Sequence, residues 1–522
     1  MENLVWNFKK EFSTHLVNGT QVVKSKLSIE NAILSVSGSS LNEFTVDDEN
    51  SEVKTLLHII NDIVPSLPNN NGSKYFGFVT GGSTPIAEAA DNLVSFLDQN
   101  AAYTSVFLRQ NVIGEVENQS LVMLCEMLGL NEEDWRGRTV TTGATSSNVL
   151  GLACGRDYVL GNGGAAQNGV SSDSTIKIIS CGSHSSIQKA AGITGIGRNN
   201  IIEKGLFRKN DDLGVNLDLE ELNSWTNTKD NNVKAIVVVS FGEVNTGAFT
   251  KDVLKIRKWC DDNNAWLHID GAFGVFASLH PSLKNIVRDL HLADSITGDC
   301  HKWLNVPYDC GFFLTKTKHL PILLNVCSSG SAPYLGTTDN QSIFEPYQIS
   351  IENSQRFRSL PLYASLKAYG IEGYRKLVTR NIEFARKLEN WLRSSHYYRV
   401  LTPLYNTESE FQLINIVLFT IDNAAPIMTE SGSLKDAVAL IHKKILDTGL
   451  MQLTTTVFNS IPGFRIAGIK IEIKLFLLKS LVSNWMTGLS SNDLKNKKNM
   501  NCCEESDEDF TTVISVLTKV ME

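Results

Sequence analysis

Ala265-Trp266-Leu267-His268-Ile269-Asp270-Gly271-Ala272-Phe273-Gly274 constrains the fold more than any other stretch of the chain. It reads as a short strand, apolar almost throughout, that ends in an acid and nearby glycines. A strand apolar on both faces belongs inside a parallel sheet covered by helices, and such sheets bind ligands beyond the carboxyl ends of their strands. Asp270 stands at that end, where a buried carboxylate needs a cationic partner. The competing reading is a turn aspartate, which an isolated Asp-Gly favours. Residues 177–191 and 235–260 show the same strand-then-helix pattern, so the expected fold class is α/β.

Downstream lies Asp299-Cys300-His301-Lys302-Trp303-Leu304-Asn305-Val306-Pro307-Tyr308-Asp309-Cys310-Gly311. Lysine normally keeps its ammonium in water. Lys302, set against histidine and tryptophan between apolar segments, is either a strand-end charge reaching for solvent or a half-buried amine. In the second case its pKa falls, and the neutral amine can form a Schiff base with an aldehyde. Asp270 favours that case. Pyridoxal phosphate carries the aldehyde, and its ring nitrogen is protonated when an acid stands beside it. The protonated ring is an electron sink for a carbanion. Each pKa unit of that stabilisation is worth about 1.4 kcal/mol.

Two further elements fit the same chemistry. Ser180-Cys181-Gly182-Ser183-His184 and the following Ser185–Ala190 read as a loop opening a helix. From there His184 can lie on an aromatic ring and exchange protons near a substrate carbon, or simply cap the helix. Thr141-Thr142-Gly143-Ala144-Thr145-Ser146-Ser147-Asn148 is small, hydroxyl-rich and leads into a helical pattern over residues 149–158. Backbone N–H groups at such a start make a phosphate cradle or a plain helix cap. No Gly-Lys-Ser/Thr follows, so this is no Walker loop.

In this order, the four elements resemble the group II pyridoxal phosphate-dependent amino-acid decarboxylases, the glutamate, aromatic amino-acid and diaminobutyrate enzymes of fold type I. His301-Lys302-Trp303 with Pro307-Tyr308-Asp309-Cys310-Gly311 matches that family's lysine signature. Further matches are residues 241–249, Tyr75-Phe76-Gly77-Phe78-Val79-Thr80-Gly81-Gly82, Asp98-Gln99-Asn100 and Arg356-Phe357-Arg358-Ser359-Leu360. The resemblance runs from about residue 50 to 420. It implies an aspartate aminotransferase-like large domain with a mixed, mostly parallel seven-stranded sheet, and a smaller α+β C-terminal domain. It also implies Lys302 as the aldimine-forming lysine, Asp270 on the pyridine nitrogen and His184 stacked on the ring. Ala272 is implied beneath the ring, Gly143, Ala144 and Thr145 at the phosphate, and His301 in the cofactor site. Tyr334 and Tyr347, on a Gly/Ser/Thr-rich segment, are the candidate proton donors. A homodimer is implied as well.

The chain departs from the family in three places. Cys300 stands where proline is common, and Glu243 replaces a small hydroxyl residue and hints at a cationic substrate group. Residues 468–481 intervene between Arg465-Ile466-Ala467 and Val482-Ser483-Asn484-Trp485, as an insertion or the product of an unspliced intron. The expected organisation is an N-terminal extension with helices over 1–74, a cofactor domain over 75–390 and a small domain over 391–522, with 490–509 flexible. Within 1–74, residues 51–67 have helical spacing. Residues 161–174 read as a surface loop.

Over 522 residues, a net charge of −8 with scattered basic residues argues against a nucleic-acid partner. Nine dispersed cysteines without metal-type spacing suggest reduced thiols, a cytoplasmic protein and no metal centre. No signal peptide and no membrane span are expected. The implied activity is decarboxylation of an L-amino acid to its amine through a Lys302 Schiff base. An aminotransferase, a carbon–carbon lyase and a catalytically silent paralogue are the alternatives. The sequence does not distinguish the substrate.

Overall fold

The computed structural model describes residues 26–37, 51–101, 111–161, 164–171, 175–202, 215–220, 222–223, 234–328, 343–403, 413–469 and 507–521. Tyr334, residues 470–481 and residues 490–506 lie outside them. The helices that matter below are α1 (Lys26–Ser37), α2 (Ser51–His58), α3 (Pro85–Phe96), α4 (Ile113–Leu128), α5 (Ala144–Leu160), α6 (Ser185–Ile193), α7 (Val253–Asp262), α8 (Ser359–Ser394), α9 (Leu434–Asp447) and α10 (Asp507–Lys519). The chain clusters into two compact units, residues 81–387 with 402–418, and residues 1–80 with 388–401 and 419–522.

The first unit is built on a seven-stranded sheet of order β1-β7-β6-β5-β4-β2-β3. Its strands are β1 (Gly137–Thr141), β2 (Ile176–Ser180), β3 (Ile201–Ile202), β4 (Lys234–Ser240), β5 (Trp266–Asp270), β6 (Ser295–Asp299) and β7 (Gly311–Thr315). Only β7 runs against its neighbours, pairing antiparallel with both β6 and β1. The other adjacent pairs are parallel. This is the mixed, mostly parallel sheet of fold type I. Every residue of β5, β6 and β7 is buried, as strands covered on both faces must be.

Helix α5 shows how tightly one layer covers the sheet. A Cβ on Gly151 would stand 2.4 Å from the ring of His268, and one on Gly155 would stand 2.9 Å from that of Trp266. Ala or anything larger at either position would push helix and strand apart. Residues 161–174 are not simply a surface loop. Gly164–Asn168 is a helical turn with Gly164 and Ala165 buried. Asp157 holds it by accepting the N–H groups of Ala165 and Ala166.

A four-stranded sheet of order β10-β11-β9-β8 follows, from β8 (Tyr398–Val400), β9 (Ile416–Ile421), β10 (Thr454–Phe458) and β11 (Ile461–Ala467), all in the second unit except residues 416–418 of β9. Helix α9 packs against β10 and β11. The Tyr398 hydroxyl donates to the carbonyl of Leu517 on α10, at 2.8 Å. In the 51–67 segment, α2 continues into tighter and wider turns up to Ser66. Among the described residues no helix is long and apolar enough to cross a membrane.

Candidate active site

Strand register gathers the site. Ser240 pairs with Asp270, Asp270 with Thr297, Asp299 with Gly311, and Gly311 with Thr141. The ends of β4, β5, β6 and β1 therefore meet along one edge, with the first residue of β7 among them. Helix α5 begins three residues beyond the end of β1, and α6 begins a few residues beyond β2. This is where an open α/β sheet binds its ligand.

Lys302 follows β6 in a loop that is closely held. Gly81 lies so near the Lys302 carbonyl that a Cβ there would stand 1.7 Å from its oxygen. Asn305 adopts φ 52°, and its side chain donates to the carbonyl of Trp303 at 3.0 Å. The Trp303 indole donates to Asn381 on α8 at 2.8 Å. Asp309 pairs with Arg358 at 2.8 Å, which gives the matched Arg356–Leu360 segment a structural task. His301 accepts the N–H of Cys310 at Nδ1, and its ring stacks on Tyr308 with centroids 4.1 Å apart.

The charge on Lys302 corrects one expectation. Its Nζ lies 2.9 Å from Asp299 Oδ2. Burial works against the ammonium, but the Asp299 carboxylate, with Asp270 behind it, outweighs burial and raises the pKa above the usual lysine value. The prediction of a lowered pKa considered burial without this partner. Asp299 is itself 2% exposed. Burial opposes its charge too, yet Lys302 and His301 hold its pKa below the carboxylate norm. Its other oxygen accepts the N–H of Ala144, the first residue of α5, at 2.6 Å. A carboxylate of the chain itself thus occupies the Ala144 N–H at the helix end expected for phosphate.

Asp270 is 7% exposed and accepts the N–H of Ala272 at Oδ1 and an amide hydrogen of Asn148 at Oδ2. His184 is exposed at the start of α6, where it accepts the N–H of Ser186. It therefore caps the helix while leaving its ring accessible. Gly143 has φ 155°, and a Cβ there would stand 3.1 Å from the His301 ring. Thr145 is exposed on the first turn of α5 and Ala272 is half-buried. Tyr347 is not brought to this cluster within the chain. It sits on the short helix Pro346–Ile349, whose Ile349 shares a small cavity with Arg138 at the opposite end of β1.

Glu243 also departs from expectation. Its carboxylate turns into its own loop, accepting from the Asn245 N–H, the Asn245 amide, the Thr246 N–H and the Thr246 hydroxyl. So engaged, it gives no support to a cationic substrate group.

Three functional candidates were not assigned from sequence: Asp299, Asn148 and His268. Each stood inside a quoted motif, and only its neighbour was given a role. His268 on β5 is fully buried, 2.7 Å from the Ser295 hydroxyl and 2.9 Å from Asn148 Oδ1. Burial lowers its pKa from 6.5 to about 4, against a small opposing pull from Asp270. An unfolded chain takes up this proton near pH 6.5 and the folded one resists until about pH 4. The stability His268 contributes is thus complete above pH 6.5 and declines as pH falls, by about 3 kcal/mol over the interval. Urea unfolding between pH 4 and 7 should show a steeper acid loss in the wild type than in His268→Gln.

The residues present fit pyridoxal phosphate: an amine for the aldehyde, a carboxylate for the ring nitrogen and a helix amino end for the phosphate. Comparison with known proteins agrees. The family described as "Pyridoxal-dependent decarboxylase conserved domain" matches residues 39–417. The aromatic-L-amino-acid decarboxylase of Bacillus atrophaeus is 23% identical, over 83% of this chain and 85% of that protein. The L-2,4-diaminobutyrate decarboxylase of Acinetobacter baumannii is 25% identical, over 50% of this chain and 52% of that protein. Among solved structures, Catharanthus roseus tryptophan decarboxylase in complex with L-tryptophan superposes with a TM-score of 0.74 at 17% identity, covering 93% of this chain and 97% of that one.

Proposed function

The chain belongs to the pyridoxal-dependent decarboxylase family, carboxy-lyases that use pyridoxal phosphate, and we propose that it converts an L-amino acid to its amine and carbon dioxide through Lys302. One observation carries the assignment of residues. Strand register brings Asp270, the Lys302 loop and the amino end of α5 to a single edge of the sheet. Bound there, the cofactor supplies an electron sink for the bond that breaks at the α-carbon.

The chain's own groups do the rest. Lys302 Nζ is the covalent anchor, and it gives up the Asp299 ion pair and its proton to act as a nucleophile. Asp270 would take the ring nitrogen, braced by the Ala272 N–H and the Asn148 amide. His184 would cover one face of the ring and Ala272 the other. Gly143, Ala144, Thr145 and His301 would hold the phosphate end. Protonation of the product carbon is assigned to Tyr334, or to Tyr347 where a second copy of the chain in the proposed homodimer brings it to the site.

The proposed assembly is a homodimer. It is supported by α3, where Ile86, Leu93 and Phe96 face solvent with Leu97 just beyond, Phe96 being 82% exposed. The proposed compartment is the cytoplasm, supported by seven described cysteines that all carry free thiols.

The relatives' names span aromatic, acidic and diamino substrates, so the substrate is put to experiment. Incubation of the loaded enzyme with each proteinogenic amino acid, and with 2,4-diaminobutyrate, should release carbon dioxide and the matching amine from at least one. A keto acid without carbon dioxide would instead identify an aminotransferase. No turnover despite covalent cofactor would identify a silent paralogue.

A further inference from the structure

A chain of hydrogen bonds runs beneath the proposed ring site, and its direction is the one that leads from a donor-only indole to an acceptor-only carboxylate. The indole of Trp266 can only donate, and it does so to Ser295 Oγ at 2.9 Å. Ser295 then has its own hydrogen for His268 Nδ1, 2.7 Å away. His268 is neutral, so its proton is on Nε2, which faces Asn148 Oδ1 at 2.9 Å. That contact fixes the rotation of the Asn148 amide. Its two hydrogens go to Asp270 Oδ2 at 3.0 Å and Ser186 Oγ at 3.1 Å. Ser186 in turn lies 2.9 Å from His184 Nδ1.

Reversing the chain has a definite cost. If His268 donated from Nδ1 instead, Asn148 would turn over and set its Oδ1 against Asp270 Oδ2. Two oxygens then face each other in a buried site unless Asp270 carries a proton. The observed direction therefore suits an ionised Asp270. The other titratable groups facing Asp270 are His268 on its own strand and Lys302 from the loop after β6.

We infer that Asn148 is a positioning residue whose single amide holds Asp270 as a carboxylate and, through Ser186, seats His184 over the same site. The inference deepens the proposed function and rests on its assignment of Asp270 and His184. It makes Asn148 more than a packing residue on α5: the ring-nitrogen acid and the ring-covering histidine share one support.

The test is the titration of Asp270 in protein free of cofactor, followed by carboxyl carbon NMR with aspartate labelled and the signal assigned through Asp270→Asn. Asn148→Leu keeps the volume and removes both donors. Asn148→Ala removes both donors with a smaller side chain. In both variants the Asp270 midpoint should move up by about one unit or more, with pyridoxal phosphate binding about tenfold weaker, one unit corresponding to a factor of ten. Melting of the two variants is compared with wild type, so that Asn148→Ala carries the test if Asn148→Leu fails to fold. A midpoint and affinity equal to wild type in a folded variant would overturn the inference. Failure of the wild type to bind pyridoxal phosphate would refute the proposed function while leaving the titration to decide the role of Asn148.

Discussion

Lys302→Ala is expected to lose covalent capture of pyridoxal phosphate completely and turnover by more than the ~10⁴-fold that one proton-transferring side chain is worth. Two roles fall together. The side chain is the only amine that the Lys302 loop sets beside Asp270, and it is also a proton carrier at the reacting atom once displaced. Borohydride treatment followed by peptide mass spectrometry should leave a phosphopyridoxyl group on the Lys302 peptide of the wild type and on no peptide of the variant. A labelled peptide elsewhere in the variant would move the anchor to another lysine. The variant should also lose stability, because Asp299 stays buried without its cationic partner and keeps only part of its support, the Ala144 N–H among it.

The residues that proved easiest to read from sequence are those whose neighbours in the chain share their environment. Trp266–Asp270 is buried at every position, so an apolar run with a terminal acid was enough to place both strand and acid. Lys302 was readable because its loop is short and its context distinctive. What the sequence did not reveal is pairing across the sheet. Asp299 meets Ala144, 155 positions away in the chain, and Asn148 meets Asp270, 122 positions away. No local pattern encodes such contacts, since register and helix placement create them. The wrong direction for the Lys302 pKa has a different origin, for its counter-ion Asp299 stands three residues upstream in the same run and only the lysine was given a role. Glu243 shows the reverse case. A carboxylate judged available for substrate is consumed by its own loop, through donors two and three residues on.

Asp299→Asn should shift the chemistry of the anchor in the opposite sense from the other site substitutions. In the wild type the ammonium of Lys302 is favoured by a carboxylate 2.9 Å away, so the neutral amine that attacks an aldehyde is scarce at neutral pH. Without that charge, burial dominates and the lysine pKa falls. The rate of capture of pyridoxal, which lacks the phosphate, should therefore rise at pH 7, and its pH midpoint should move down. An unchanged midpoint would mean that Asp299 does not control the lysine. Stability should suffer. Breaking a buried pair by removing one partner costs about 3–5 kcal/mol when the other charge is stranded, less here because Lys302 can shed its proton. The pH window follows from the two shifts. The Asp299 pKa is lowered, so its contribution is complete above the unfolded value of 3.8 and is lost as pH falls through the folded value. The Lys302 pKa is raised, so its contribution is complete below 10.5 and is lost as pH rises through the folded value. Urea unfolding should accordingly show a gap between wild type and Asp299→Asn that persists across neutral pH, narrowing as pH rises towards 10.5 and closing in strong acid and strong base. A gap that closed near pH 7 would place the titrating partner elsewhere, with His301 the nearest histidine to this carboxylate, at 3.5 Å.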